Sequence, residues 1–213
     1  MAVFITIEGP DGSGKTSVTN QIVSALEKEG LAVLYTREPG GSEIAEEIRQ
    51  VILDCKNTAM DVRTEALLYA ASRRQHLVEK ILPALAENKI VISDRFLDSS
   101  LAYQGHGRAI GIEEVLQINL FATEGKLPDL TLYFDVSAEV GLARINQDQS
   151  REVNRLDLEK VSFHAKVREG YLLLAKRFPD RIITIDASQP FAVVYEQAFG
   201  KIKQFLVANH LWR

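Results

Sequence analysis

One glycine-rich octet near the N-terminus, Gly9-Pro10-Asp11-Gly12-Ser13-Gly14-Lys15-Thr16, constrains this chain more than any other stretch. It follows the apolar run Val3-Phe4-Ile5-Thr6-Ile7 and precedes a helical pattern that starts near Lys15. Strand, glycine turn and helix with the spacing G-x-x-x-x-G-K-[ST] make the arrangement of a phosphate-binding P-loop. Glycines let the backbone curl until several N–H groups converge on one anion, and the helix N-terminus adds its positive dipole. Lys15 then reaches the β- and γ-phosphates, and the Thr16 hydroxyl can ligate Mg²⁺. Gly9 to Ser17 is therefore the expected ATP-binding stretch. The motif demands a nucleoside triphosphate site but leaves the use of the phosphate open.

The remainder of the chain reads as repeated strand–helix units. Apolar runs at Ala32–Thr36, Ile90–Ile92, Leu130–Asp135 and Ile182–Asp186 join the first strand, and amphipathic helical patterns separate them. Strands apolar on both faces imply right-handed crossovers and a parallel sheet covered on both sides. The expected architecture is α/β: a three-layer P-loop NTPase fold with a five-stranded parallel sheet, its P-loop strand central, in one domain spanning residues 1–213. Ser42 is placed to cap a helix carrying Ile44, Ile48, Val51 and Ile52 inward with Arg49 near its middle. A long helix runs from Val62 to Leu77, with Pro83 in its continuation marking a break or a new turn before Asn88. Asp98 to Gln104 is helical, Gly105 to Arg108 a loop, and Leu156 to Arg177 one helix. Residues 146–154 are polar and without periodicity, which predicts a mobile surface loop.

Charge and cysteine usage narrow the partners. A net charge of −4 over 213 residues offers no basic field for nucleic acid, so anion recognition must come from local arginines. The lone Cys55 excludes an internal disulfide, fits a reducing cytoplasm, and is expected to be buried and structural. No stretch approaches the roughly 18 apolar residues that span a bilayer, and no export signal is apparent. The four histidines lack metal-ligand spacing and read as structural or surface residues.

Asp94 ends the third strand, where a carboxylate can hold Mg²⁺ directly or through water. Arg95 follows it toward the phosphates. Arg37, Arg49, Arg73 and Arg95 fall at strand ends or on helices facing one crevice, and such cations suit a second phosphate on an acceptor. Arg151 lies in the polar loop and Arg155 at its end, and either could supply charge to a transferring phosphoryl group. Acceptors other than a nucleoside monophosphate, or a nucleotide-hydrolysing switch with a protein or DNA partner, stay open at this level.

From Phe4 to the last strand the chain resembles the bacterial thymidylate kinase family. The carriers are Phe4 through Thr16, Thr36-Arg37-Glu38-Pro39-Gly40-Gly41, Asp94-Arg95-Phe96, and Ser99-Ser100-Leu101-Ala102-Tyr103-Gln104-Gly105. The resemblance implies Mg²⁺-dependent transfer of the γ-phosphoryl group of ATP to dTMP, giving dTDP and ADP, a step of dTTP biosynthesis. It implies that Lys15, Asp94, Arg95 and Arg151 are catalytic and that Thr16 and Asp94 attend the metal. Asp11 would contact the sugar 3′-hydroxyl, and Arg95 would hold the acceptor phosphate. Arg37 and Glu38 would flank that phosphate, with Arg49 a further contact. Tyr69 would stack on thymine, Arg73 would reach a base carbonyl, Ser100 and Gln104 would read the base edge, and Tyr103 would crowd the 2′ position. On the donor side Arg144 resembles the adenine-stacking arginine, and Ala187 to Pro190 the loop closing on adenine. Gly12 stands where another subtype carries arginine, which moves the catalytic arginine to a lid at about 146–155. The family is homodimeric, which implies a dimer in the cytoplasm.

Overall fold

A computed structural model of the chain describes residues 2–147 and 154–212. Its sheet holds β1 (Val3–Glu8), β2 (Val33–Arg37), β3 (Ile90–Asp94), β4 (Leu130–Asp135) and β5 (Ile182–Asp186). All pairings are parallel and the order is β2-β3-β1-β4-β5, so the P-loop strand is central as expected. β1 is buried along its whole length, which is why its sequence is apolar almost throughout. Its alternation still decides the layers. Val3, Ile5 and Ile7 face one core with Val18, Ile22 and Leu26 of α1 (Lys15–Lys28) and Val194, Ala198 and Ile202 of α9 (Phe191–Ala208). Phe4 faces the opposite core, with Leu77, Leu101, Val115, Val167 and Tyr171.

The remaining helices are α2 (Glu43–Leu53), α3 (Val62–His76), α4 (Leu82–Ala86), α5 (Leu97–Ser100), α6 (Ile112–Thr123), α7 (Ala138–Gln147) and α8 (Val161–Arg177). The register sets Ile7 of β1 and Arg37 of β2 level with Asp94 of β3 at the carboxyl edge. The connection after β1 leads to one side of that strand and the connection after β3 to the other, and that switch point is where α/β sheets bind ligands.

Four local expectations change or sharpen. Pro83 marks a new turn and not a break: α3 passes into a π-helical turn, Leu77–Ile81, and Pro83 sits in the first turn of α4. There the ladder is already rewound, so the missing N–H removes little. Gly105 to Arg108 is not a loop, because the chain continues from α5 as a π-helical segment, Leu101–Gly107. Its glycines serve close packing: a Cβ on Gly107 would press on Phe163 and Val167 of α8, and one on Gly170 of α8 would press on Ala102. The helix expected from Leu156 is two pieces, a 3₁₀ turn (Arg155–Leu158) and then α8. Asn154 caps the turn, accepting from Leu156 N–H while Asp157 accepts from its own N–H. Cys55 is exposed rather than buried, in the turn after α2. Ser42 does precede α2, although its hydroxyl makes no cap hydrogen bond.

Candidate active site

The octet wraps back over the end of β1, with Gly9, Gly12 and Gly14 at positive φ. Gly12 must lack a side chain for a second reason: a Cβ there would overlap the carbonyl of Gly141 on α7. Lys15 opens α1, and its ammonium donates to the carbonyls of Gly9 at 3.0 Å and Pro10 at 2.9 Å. Burial, and after it the charge of Arg95, pulls the Lys15 pKa down to about 8. Thr16 Oγ1 donates to Asp94 Oδ2 at 3.0 Å, joining the hydroxyl of the loop to the acid of β3. These two hard oxygen donors side by side suit Mg²⁺, which takes one or two protein ligands and leaves the rest to phosphate and water. Among the described residues no cluster of three or more acidic, histidine or cysteine side chains offers a protein-only metal cage.

Arg95 lies between the loop and a cavity. It is a non-glycine residue at φ 71°, a strained conformation that aims its side chain back across the sheet edge. Its guanidinium donates to Gly9 O at 2.9 Å, Asp11 Oδ1 at 2.8 Å and Ser99 Oγ at 3.1 Å, and lies over the Tyr103 ring. Glu8, fully buried at the end of β1, fixes the turn that carries it. It accepts from Phe96 N–H at 2.7 Å, Ser99 Oγ at 2.5 Å and Tyr171 Oη at 3.1 Å. Burial, with the nearby Asp98 charge, pushes the Glu8 pKa up to about 7, against the hydrogen bond from Ser99.

The cavity beside Arg95 gathers Asp11, Arg37, Glu38, Arg49, Tyr69, Asp94, Ser100, Tyr103 and Gln104, nine of the residues singled out from sequence, and adds Leu53, Asn154 and Leu156. Arg37 and Arg49 converge on one side, where each donates to Pro39 O, at 2.8 and 3.0 Å. The Glu38–Pro39 peptide bond is cis.

Arg73 does not line this cavity. It is 1% exposed, with its donors held by Glu38 Oε2 at 2.8 Å, Ser100 Oγ at 3.0 Å, Phe96 O at 2.8 Å and Asn119 Oδ1. Glu38 likewise turns inward, since its other oxygen meets Nδ1 of the fully buried His76 at 3.0 Å. Nε2 of that ring meets Thr36 Oγ1 at 2.6 Å. Glu38 thus positions Arg73 and His76 in this structure.

A second hollow lies on the donor side, lined by Ser13, Gly14, Ser17, Arg144, Ala187, Gln189 and Phe191. Arg144 ties its two edges together, donating to Ala187 O at 2.9 Å and Gly12 O at 3.4 Å. The resemblance places Arg144 and the Ala187-to-Pro190 loop at adenine. Arg155 is buried and anchored in this structure, donating to Ile52 O at 2.9 Å and Glu65 Oε2 at 2.6 Å. Arg151 lies outside the described residues.

Glu8, Glu65, Asn119 and Tyr171 escaped the sequence reading. Only Glu8 carried a signal, as an acid ending an apolar central strand.

The arrangement places a triphosphate loop, a paired hydroxyl and carboxylate, and an arginine that touches both the loop and the wall of an adjacent cavity. It suits transfer of a phosphoryl group between two bound molecules. Comparison with known proteins agrees. The family model described as Thymidylate kinase matches residues 7–198. The chain is 63% identical to the thymidylate kinase of Latilactobacillus sakei subsp. sakei (strain 23K), over 94% of each chain. It is 58% identical to that of Geobacillus sp. (strain WCH70), over 93% of this chain and 95% of the relative. It is also 58% identical to that of Clostridium novyi (strain NT), over 94% and 98%. A glycine loop, its Asp94–Thr16 pair and an arginine-lined cavity thus meet a full-length likeness, and the chain belongs to the thymidylate kinase family.

Proposed function

We propose that this chain transfers the γ-phosphoryl group of ATP to the 5′-phosphate of dTMP, giving dTDP and ADP. The observation that carries the reading is Arg95, whose one guanidinium reaches Gly9 and Asp11 of the loop and Ser99 of the cavity wall. A cation at that junction holds the attacking phosphate against the donor and neutralises charge spread over the equatorial oxygens. Gly9 to Ser17 hold the triphosphate, and Arg144 with Ala187 to Pro190 enclose the adenine. Thr16 and Asp94 would hold Mg²⁺, which when bound would offset the charge of the phosphates. Arg37 and Arg49 take the acceptor phosphate, Asp11 the 3′-hydroxyl, Tyr69 the face of the thymine, and Ser100 and Gln104 its edge. Tyr103 crowds the 2′ position. Arg73 acts on the base through Ser100, which accepts its hydrogen bond. Arg151 supplies the additional cation, since Arg155 is engaged with Glu65.

Production of dTDP from dTMP and Mg-ATP tests the reading directly. Arg95→Ala should lower kcat about 10³-fold or more while leaving the fold intact. Wild-type turnover by a folded Arg95→Ala protein would overturn it, as would a preference for a base other than thymine.

The same reading makes the protein a single-domain homodimer of a reducing cytoplasm. Among the described residues no helix is long and apolar enough to cross a membrane. Phe121 on α6 is 88% exposed and Leu67 on α3 56%, beside an apolar hollow lined by Ala70, Ala71 and Ile118. A face of that kind suits burial against a second copy. Light scattering at micromolar concentration should give the dimer mass; a monomer would refute it.

A further inference from the structure

Glu65, in the first turn of α3, is 1% exposed, and a carboxylate that deep must be ringed by donors. Its Oε1 accepts from Gln104 Nε2 at 2.9 Å and Arg108 Nε at 3.2 Å. Its Oε2 accepts from Arg108 Nη2 at 3.1 Å and Arg155 Nη2 at 2.6 Å. Three separate elements therefore meet at one carboxylate: α3, the π-helical segment with its end at Arg108, and the 3₁₀ turn. Burial works to raise the Glu65 pKa, but the hydrogen bonds from Arg108 and Gln104 and the charge of Arg108 outweigh it, and the carboxyl sits below the usual range. At neutral pH Glu65 is then an acceptor only.

That fixes a chemical choice. An amide meeting a carboxylate must present its NH₂, so Nε2 of Gln104 is committed to Glu65 and Oε1 is the end left for the cavity that Gln104 lines. Thymine offers an N3–H donor between two carbonyls, whereas cytosine offers a bare N3 acceptor beside an amino group. An acceptor facing N3 pairs with the first and opposes the second.

We propose that Glu65 is a specificity-determining positioning residue: by holding Nε2 of Gln104 it presents Oε1 to the base and selects a thymine edge over a cytosine edge. The inference rests on the reading of Gln104 as a base contact. Glu65 touches no reacting atom, and its effect on the base passes through that one amide. A glutamine at position 65 would offer its own carbonyl to the two arginines and its NH₂ to Gln104, which would turn the Gln104 amide over.

The test is a cycle on the full-length enzyme with dTMP and dCMP as acceptors. Glu65→Gln should raise the KM for dTMP about tenfold, keep the KM for ATP within about twofold, and narrow the dTMP-over-dCMP ratio of kcat/KM by about tenfold or more. In a Gln104→Ala background the same change should add less than about twofold, because the amide it orients is gone. An equal effect in both backgrounds would make Glu65 mere bracing and overturn the proposal. So would an unchanged dTMP KM in Glu65→Gln while Gln104→Ala raises it, and the base contact would then stand alone. If Gln104→Ala itself leaves the dTMP KM unchanged, the base contact fails and the inference falls with it. Should Glu65→Gln not fold, Glu65→Asp keeps the charge for both arginines while withdrawing from Gln104; it should raise the dTMP KM, and an unchanged KM overturns the proposal.

Discussion

The donor and acceptor ends of the site are built by opposite means. Around Lys15 the partners are local: the carbonyls of Gly9 and Pro10 and the hydroxyl of Ser13, in a loop of consecutive residues. Around Arg73 they come from far apart in the chain: Glu38 just after β2, Ser100 on α5, Asn119 on α6 and the carbonyl of Phe96. The donor end is a local shape that presents charge. The acceptor wall is a piece of the core, so the groups that shape the cavity also hold the fold. Removing charge should therefore separate activity from stability at the first and couple them at the second.

The strongest attempt to break this contrast is Lys15→Met. It should lower kcat/KM about 10³-fold or more with the thermal melt unchanged or slightly raised, because burial already disfavours the Lys15 charge. A melt lowered by many degrees would show that the donor end is structural after all. Glu38→Ala asks the converse question. It leaves the Arg73 guanidinium buried without its carboxylate, which should cost about 3–5 kcal/mol in urea unfolding and weaken dTMP binding as well. Wild-type stability in that variant would detach the acceptor wall from the core.

The same contrast explains what could be read from sequence. The loop needs only its own residues in order, so Gly9 to Thr16 announces itself, and the apolar runs announce a parallel sheet with β1 in the middle. The cavity's arginines stand out at strand ends and on helix faces, while their separate roles, and those of Ser100 and Gln104, became legible through resemblance, which carries a pattern that spacing cannot. The network behind them did not. Arg73 meets Asn119 across 46 residues and Arg155 meets Glu65 across 90, and no periodicity marks such pairs. Glu65 reads locally as an acid in a helix's first turn, where the dipole alone accounts for it. Gly105 and Gly107 read as chain breakers because sequence shows the missing side chain but not the neighbouring helix that needs the space.

Glu8 stands between the two regions, in the strand that feeds the loop yet bonded to the turn that carries Arg95. Its folded pKa, about 7, lies above its ordinary 4.5, so the folded state holds the proton more tightly than the unfolded chain. Its contribution to stability is then fully present below pH 4.5 and is lost as pH rises through about 7. Glu8→Gln should flatten that part of the profile, with a difference of roughly 1–3 kcal/mol between acid and mildly alkaline conditions. Urea unfolding of both proteins across this range checks it, and an identical slope would assign the titration elsewhere.

The finest distinction between the two ends is a proton. Free Lys15 titrates at about 8, so near that pH half of the molecules carry an uncharged amine at the loop. Triphosphate oxygens favour the ammonium, so its pKa must rise on binding and ATP must bring a proton with it. Affinity is then greatest below the free pKa and declines as pH rises through it, with the KM for ATP rising about fourfold between about pH 7 and about pH 8.5. Calorimetry near pH 8 in two buffers of different ionisation enthalpy should report uptake of about half a proton, and Lys15→Met should abolish that uptake. At the acceptor end the cation between the two sites behaves differently, since the Arg95 pKa lies well above its ordinary value through the neighbouring Tyr103 and Asp11, despite the opposing effect of burial. The KM for dTMP should accordingly stay flat over the alkaline half of that range. A dTMP KM that climbs in parallel with that of ATP would mean that both ends share one titrating group, and the division between them would fail.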